Sequence, residues 1–159
     1  MIPRVHKTEK EDRIMIHKNI SIKAEGSLKD SHLTTYILDS YEELEPNLKR
    51  PLVLICPGGA YRFTADREAE MIALHLNSAG YHAAVLRYSC APAIFPTALL
   101  EVAESIKLLK EKAEEWHIDT EKVFVMGFSA GGHLAASYGV FWNRPFVACL
   151  LYTSPSPRD

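Results

Sequence analysis

Three uninterrupted apolar runs, at residues 52–56, 83–86 and 123–126, leave this chain few ways to fold. A strand with one wet face alternates apolar and polar residues, whereas a strand apolar at every position is covered on both sides, as in a buried parallel sheet. Between the runs the apolar spacing changes to three and four. Ala69, Ile72, Ala73, Leu76 and Ala79 share one helical face, and Gly80 follows where a helix would stop. Leu99, Val102, Ala103, Ile106, Leu109, Ala113 and Trp116 form a second stripe, with Pro96 suited to its first turn. A third helix is expected over 130–142. Strands alternating with helices in this rhythm predict βαβ units and the α/β class.

The amino-terminal part reads differently. Ile14, Ile16, Ile20, Ile22 and Ala24 share one parity, as in a half-buried strand. A turn at 26–30 leads to a second strand at 33–38, and so short a connection favours an antiparallel pair. Residues 42–50 are expected to form a polar surface loop containing Pro46. At the other end, 146–152 reads as the start of a further strand of the sheet. The segment 153–159 cannot continue it, because two prolines two residues apart do not belong in a central strand. It is expected to be either a non-native tail or a disordered one, which makes 1–152 the folded, partial domain.

The 159 residues are 47% hydrophobic and 24% charged with net charge −2, a soluble globular composition with core enough for one domain. No Lys/Arg cluster points to nucleic acid or an anionic membrane, and no apolar run approaches a membrane span. Residues 1–13 lack the apolar core of a signal peptide, so a cytoplasmic location is expected. Cys56, Cys90 and Cys149, odd in number and far apart, read as buried reduced thiols. No histidine pair has zinc-ligand spacing, so no metal is expected.

Chemistry concentrates at Gly127-Phe128-Ser129-Ala130-Gly131-Gly132, directly after the third apolar run. Strand, sharp turn with serine, then helix is the Gly-x-Ser-x-Gly nucleophile elbow. Small residues at Gly127 and Gly131 let the backbone bend, and the helix start offers free N–H groups to a developing anion. A glycine-rich turn with a surface serine is the alternative.

Pro57-Gly58-Gly59-Ala60-Tyr61 closes the first apolar run. With the elbow, it resembles the α/β-hydrolase superfamily, in its esterase and lipase branch with a His-Gly-Gly-Gly-type oxyanion loop. Asp66-Arg67-Glu68, Trp116-His117-Ile118-Asp119 and Gly-Phe-Ser-Ala-Gly-Gly-His narrow the likeness to small acetyl-esterase and xylan-esterase-like hydrolases, over about residues 33–142. The resemblance implies the amino-terminal half of that fold: two antiparallel strands, then parallel βαβ units, in a three-layer αβα sandwich. It also implies Ser129 as nucleophile and the N–H groups of Gly59, Ala60 and Ala130 as oxyanion donors, each donor worth about 3–4 kcal/mol. Pro57 stands where that branch commonly has histidine.

The expected activity is hydrolysis of short-chain, acetyl esters, those of acetylated carbohydrate among them, through an acyl-serine and without a cofactor. The partner is a small-molecule ester. The superfamily's triad order is Ser, acid, His, which places acid and base beyond residue 159 and predicts a nearly inactive 159-residue chain. His133, one turn down the helix from Ser129, is read as a packing or positioning residue, and His75 and His82 as structural. Asp66-Arg67-Glu68 either starts a helix or braces the oxyanion loop. Tyr61 and Arg62 either line a pocket or lie on the surface. Two other functions stay open: an arylformamidase or amidase on the same fold, and a non-catalytic hydrolase-fold binding module.

Overall fold

The computed structural model describes residues 15–40, 45 and 48–152. Five strands form one sheet: β1 (Asn19–Ser21), β2 (His32–Tyr36), β3 (Arg50–Cys56), β4 (His82–Arg87) and β5 (Ile118–Gly127), in the order β1-β2-β4-β3-β5. β1/β2 and β2/β4 are antiparallel, whereas β3 runs parallel to both β4 and β5. Helices α1 (Glu70–Ser78), α2 (Thr97–Glu111), α3 (Ala130–Phe141) and α4 (Pro145–Tyr152) complete the chain, with a short 3-10 turn at Asp66–Glu68 before α1.

Two of the three apolar runs, in β3 and β4, are inner strands with a helix layer on each face. The third, at 123–126 in β5, ends the sheet among the described residues and leaves Phe124 and Met126 exposed, so it is not covered on both sides as its composition predicts. Leu52, Leu54 and Cys56 of β3 and Ala84 and Leu86 of β4 point towards α2 and α3, whose Leu99, Val102, Ile106, Leu109 and Leu134 complete that core. Val53, Ile55, Ala83 and Val85 face the other way and pack with Ala69 and Ala73 at α1. This is a three-layer αβα arrangement: the strand rhythm implies its α/β class, and the resemblance its layers. All seven positions of the second stripe are buried, but only five lie in α2; Ala113 and Trp116 follow its end at Glu111, in the turns that lead to β5. In α1, Ala79 is exposed and Asn77 is buried instead, donating from Nδ2 to the carbonyls of Tyr36 (3.0 Å) and Tyr81 (2.9 Å).

The first strand is shorter than its parity suggests. Ile14 lies outside the described residues, and Ile16 pairs with Ile37 only in an isolated bridge. Between that bridge and β1 the Thr35 hydroxyl accepts from Lys18 N–H (3.0 Å) and donates to the Ile16 carbonyl (3.0 Å), standing in for ladder bonds. Most of the expected 42–50 loop lies outside the described residues, and Arg50 already belongs to β3. The 153–159 tail also lies outside them.

One expected element is wrong. Residues 146–152 are helical, within α4, not a strand. A short apolar run does not distinguish the two by period. Packing decides it here: Val147 is fully buried in the α2-facing core, with Leu150 and Leu151 against the same core, a helical i, i+3, i+4 spacing. Pro145 begins the helix, where its missing N–H costs nothing. Cys149 is therefore exposed on a helix and Cys90 half-buried, so only Cys56 of the three free thiols is a buried one.

Candidate active site

The register of β3 against β5 sets the site. Cys56 pairs with Gly127, so the two strands end level and their following loops emerge side by side. Phe128 N–H donates to the Cys56 carbonyl (3.2 Å), tying the turns together before either leaves the sheet.

Ser129 stands at φ 50°, ψ −119°, a conformation that L-residues rarely adopt, and is exposed. The surrounding backbone enforces it. A Cβ on Gly127 would collide with the Gly131 carbonyl, and one on Gly131 with the Cys56 and Pro57 carbonyls, so neither position admits a side chain. α3 begins immediately afterwards, and His133 N–H donates to the Ser129 carbonyl (3.0 Å). Ala130 is the first residue of that helix, where N–H groups lack an intrahelical acceptor.

The glycine loop lies against this turn. A Cβ on Gly58 would meet the Phe128 carbonyl oxygen at 2.7 Å and Ser129 Cβ at 3.0 Å, a proximity that only glycine tolerates. Gly59 (φ 138°), Ala60 (φ 53°) and Tyr61 (φ 57°) all have positive φ, reversing the chain over the strand end. The Gly58 and Gly59 carbonyls are taken by Ala65 N–H (2.8 Å) and Arg62 N–H (2.9 Å). Among the described residues, no hydrogen bond is made by the N–H groups of Gly59 and Ala60 or by Ser129 Oγ.

Several side chains hold the strained loop. Glu68 Oε2 accepts from Gly58 N–H (2.7 Å), so the carboxylate of Asp66-Arg67-Glu68 braces the loop as well as opening the helical segment. The buried Tyr88 hydroxyl donates to the Pro57 carbonyl (2.6 Å), and burial pushes that phenol well above its ordinary pKa. Tyr61 is held at three points: its carbonyl accepts from Ala91 N–H (2.7 Å), its ring meets that of Tyr88 edge-on, and its hydroxyl shares a 2.8 Å hydrogen bond with His133 Nδ1. Cys56 directly beneath is inert, its thiol pushed up to about 12 by burial.

The glycine positions were visible as a motif. The bonds from Glu68, Tyr88 and His133 were not, because each joins residues 10 to 72 positions apart. Of the two pocket candidates, Tyr61 lines a cavity of about 210 Å³ bounded by α2, α3 and the loop before α2, whereas Arg62 is exposed and is not among its walls. Among the described residues no cluster of three or more His, Cys, Asp or Glu could hold a metal ion, and no helix is long and apolar enough to cross a membrane.

The model of the BD-FAE family matches residues 38–149. Among solved structures, MGS-M1, an α/β-hydrolase enzyme from a Medee basin deep-sea metagenome library, is 43% identical with a TM-score of 0.73, over 78% of this chain and 50% of that one. The carboxylesterase Cest-2923 from Lactobacillus plantarum is 28% identical with a TM-score of 0.73, over 85% and 50%. The acetylxylan esterase of Xylanibacter ruminicola is 30% identical over 60% of this chain and 21% of its own length. The chain thus spans half the length of these two solved structures and about a fifth of that esterase.

Proposed function

The chain belongs to the BD-FAE family, and on that premise we propose that it carries the nucleophile and oxyanion donors of a serine hydrolase that cleaves carboxylic esters, acetyl esters of carbohydrate among them. The observation that carries this reading is the exposed Ser129 at φ 50° with the Gly58 backbone packed against it. A merely structural turn has no need of a strained, solvent-facing serine beside unbonded N–H groups.

In the proposed reaction Ser129 Oγ attacks the ester carbonyl carbon and its proton passes to a general base. The carbonyl oxygen becomes an oxyanion held by the N–H groups of Gly59, Ala60 and Ala130. Those dipoles are fixed before reaction, which is why each is worth about 3–4 kcal/mol. Collapse breaks the carbon–oxygen bond to the alcohol, which takes the proton from the base. Water, deprotonated by the same base, then attacks the acyl-serine. The carboxylic acid leaves and Ser129 regains its proton.

His133 is not that base in this reading. Its Nδ1 is engaged by Tyr61, and it lies one turn along α3 from a serine whose φ/ψ directs it off the helix axis. By the superfamily's order of Ser, acid, His, base and orienting acid are assigned to positions beyond residue 159. The 159-residue chain alone is accordingly expected to lose up to about a millionfold of the triad's rate, keeping some 10³–10⁴ over water.

The test is exposure of the chain to p-nitrophenyl acetate, with acylated residues located by mass spectrometry. Slow acetylation confined to Ser129, absent from Ser129→Ala, is the expected result. Acetylation spread over lysines and unaffected by Ser129→Ala would remove the hydrolase reading and leave a binding module.

A further inference from the structure

Resting on the hydrolase reading, we propose that the cavity walled by Tyr61 and His133 is the acyl site and that it accepts aliphatic acyl groups of about four to eight carbons, not acetyl alone. It lies between the loop before α2 and the face of α3 that begins one turn after Ser129. Its walls include Tyr61, Ile94, Phe95, Leu99, His133 and Leu134. Ser129 itself is not among those walls; Tyr61, which directly follows Ala60, and His133, one helical turn after Ser129, link the cavity to the proposed oxyanion site.

The hydroxyls on these walls each have a partner within the protein. The Tyr61 hydroxyl is bonded to His133 Nδ1. Ser137 Oγ donates to the His133 carbonyl (2.8 Å). Ser89 Oγ donates to Glu101 (2.6 Å) and accepts from Leu28 N–H (2.8 Å). Besides His133 Nε2, the remaining hydroxyl lone pairs and the backbone of the loop before α2, the surface the cavity offers an occupant is mainly apolar. A sugar alcohol buried there would lose its water and gain almost no partner. An alkyl chain loses nothing, so the hydroxyl-rich half of a carbohydrate ester belongs outside and the acyl half inside.

Size sets the chain length. A cavity of about 150 Å³ with such a lining takes a benzene molecule, and this one measures about 210 Å³. An acetyl group would leave most of it empty.

The experiment measures affinity of the chain for N-methylacetamide, N-methylbutanamide, N-methylhexanamide and N-methyldodecanamide, neutral mimics that need no catalysis. Affinity is expected to rise about fourfold per methylene, roughly 250-fold over the four methylenes from acetamide to hexanamide, and to gain nothing further at dodecanamide. Ala98→Phe, which fills the cavity from α2, should pull the hexanamide-to-acetamide ratio towards one. Ala93→Leu, on the loop, does the same if Ala98→Phe does not fold. A flat series, or a ratio unchanged in both filled variants, overturns the acyl assignment, and if Ser129 still acetylates, the hydrolase reading survives it. Hexanamide binding as expected with no acylation of Ser129 fails the hydrolase reading, and the acyl assignment with it.

Discussion

At Gly131 a side chain would run into the backbone carbonyls of Cys56 and Pro57, atoms that cannot swing aside as a flexible side chain can. Gly131→Ala is therefore expected to cost about 2–3 kcal/mol, at the upper end for overpacking, read as a lower urea midpoint. It should also slow acetylation of Ser129 by moving the turn. Gly139, one helical stretch later, meets nothing within 4 Å, so Gly139→Ala serves as a control that keeps or raises stability. The two glycines look alike in the sequence. Only the elbow spacing distinguishes the first, and the close approach of β3 that explains it is a tertiary fact.

Among the elements, the β4 start carries a pH dependence. His82 is buried between β2 and the turn before β5: Leu38 N–H donates to Nδ1 (3.1 Å), so Nε2–H donates to the His117 carbonyl (3.1 Å). Burial lowers its pKa from 6.5 to about 4, with Arg50 and His117 adding repulsion against the backbone bonds that oppose the shift. The unfolded chain thus binds a proton that the folded one refuses. Stability is full above about pH 6.5 and declines as pH falls towards 4, by about 3 kcal/mol. Urea midpoints between pH 4 and 7 should show that slope, and His82→Gln should flatten it. The elements themselves were legible where periodicity was long: all seven positions of the second stripe are core, five in α2 and two in the turns after it. Legibility failed for α4, whose short apolar run suits either period. It failed also for Glu101, fully buried inside α2, where it accepts from Ser27 Oγ (2.7 Å) and from Ser89 N–H and Oγ. An acid next to a buried stripe was the available signal, and its partners 74 and 12 residues away were not.

For the molecule as a whole, β5 matters most. It is the last strand of the sheet among the described residues, ten residues long, with Phe124 52% and Met126 38% exposed. A long apolar strand with an unpaired side invites pairing with another chain. The 159-residue chain is expected to self-associate in the micromolar range, and Phe124→Lys to suppress this, by light scattering, while changing the urea midpoint little.

The opposite margin is built otherwise. β1 has three residues, with Asn19 and Ser21 in solvent, and it terminates an antiparallel ribbon seated on β4. The two rims of the sheet are therefore unlike, one blunt and wet, the other extended and greasy. Any lateral growth of this assembly has a single direction, outward from the flank that also presents the Ser129 turn.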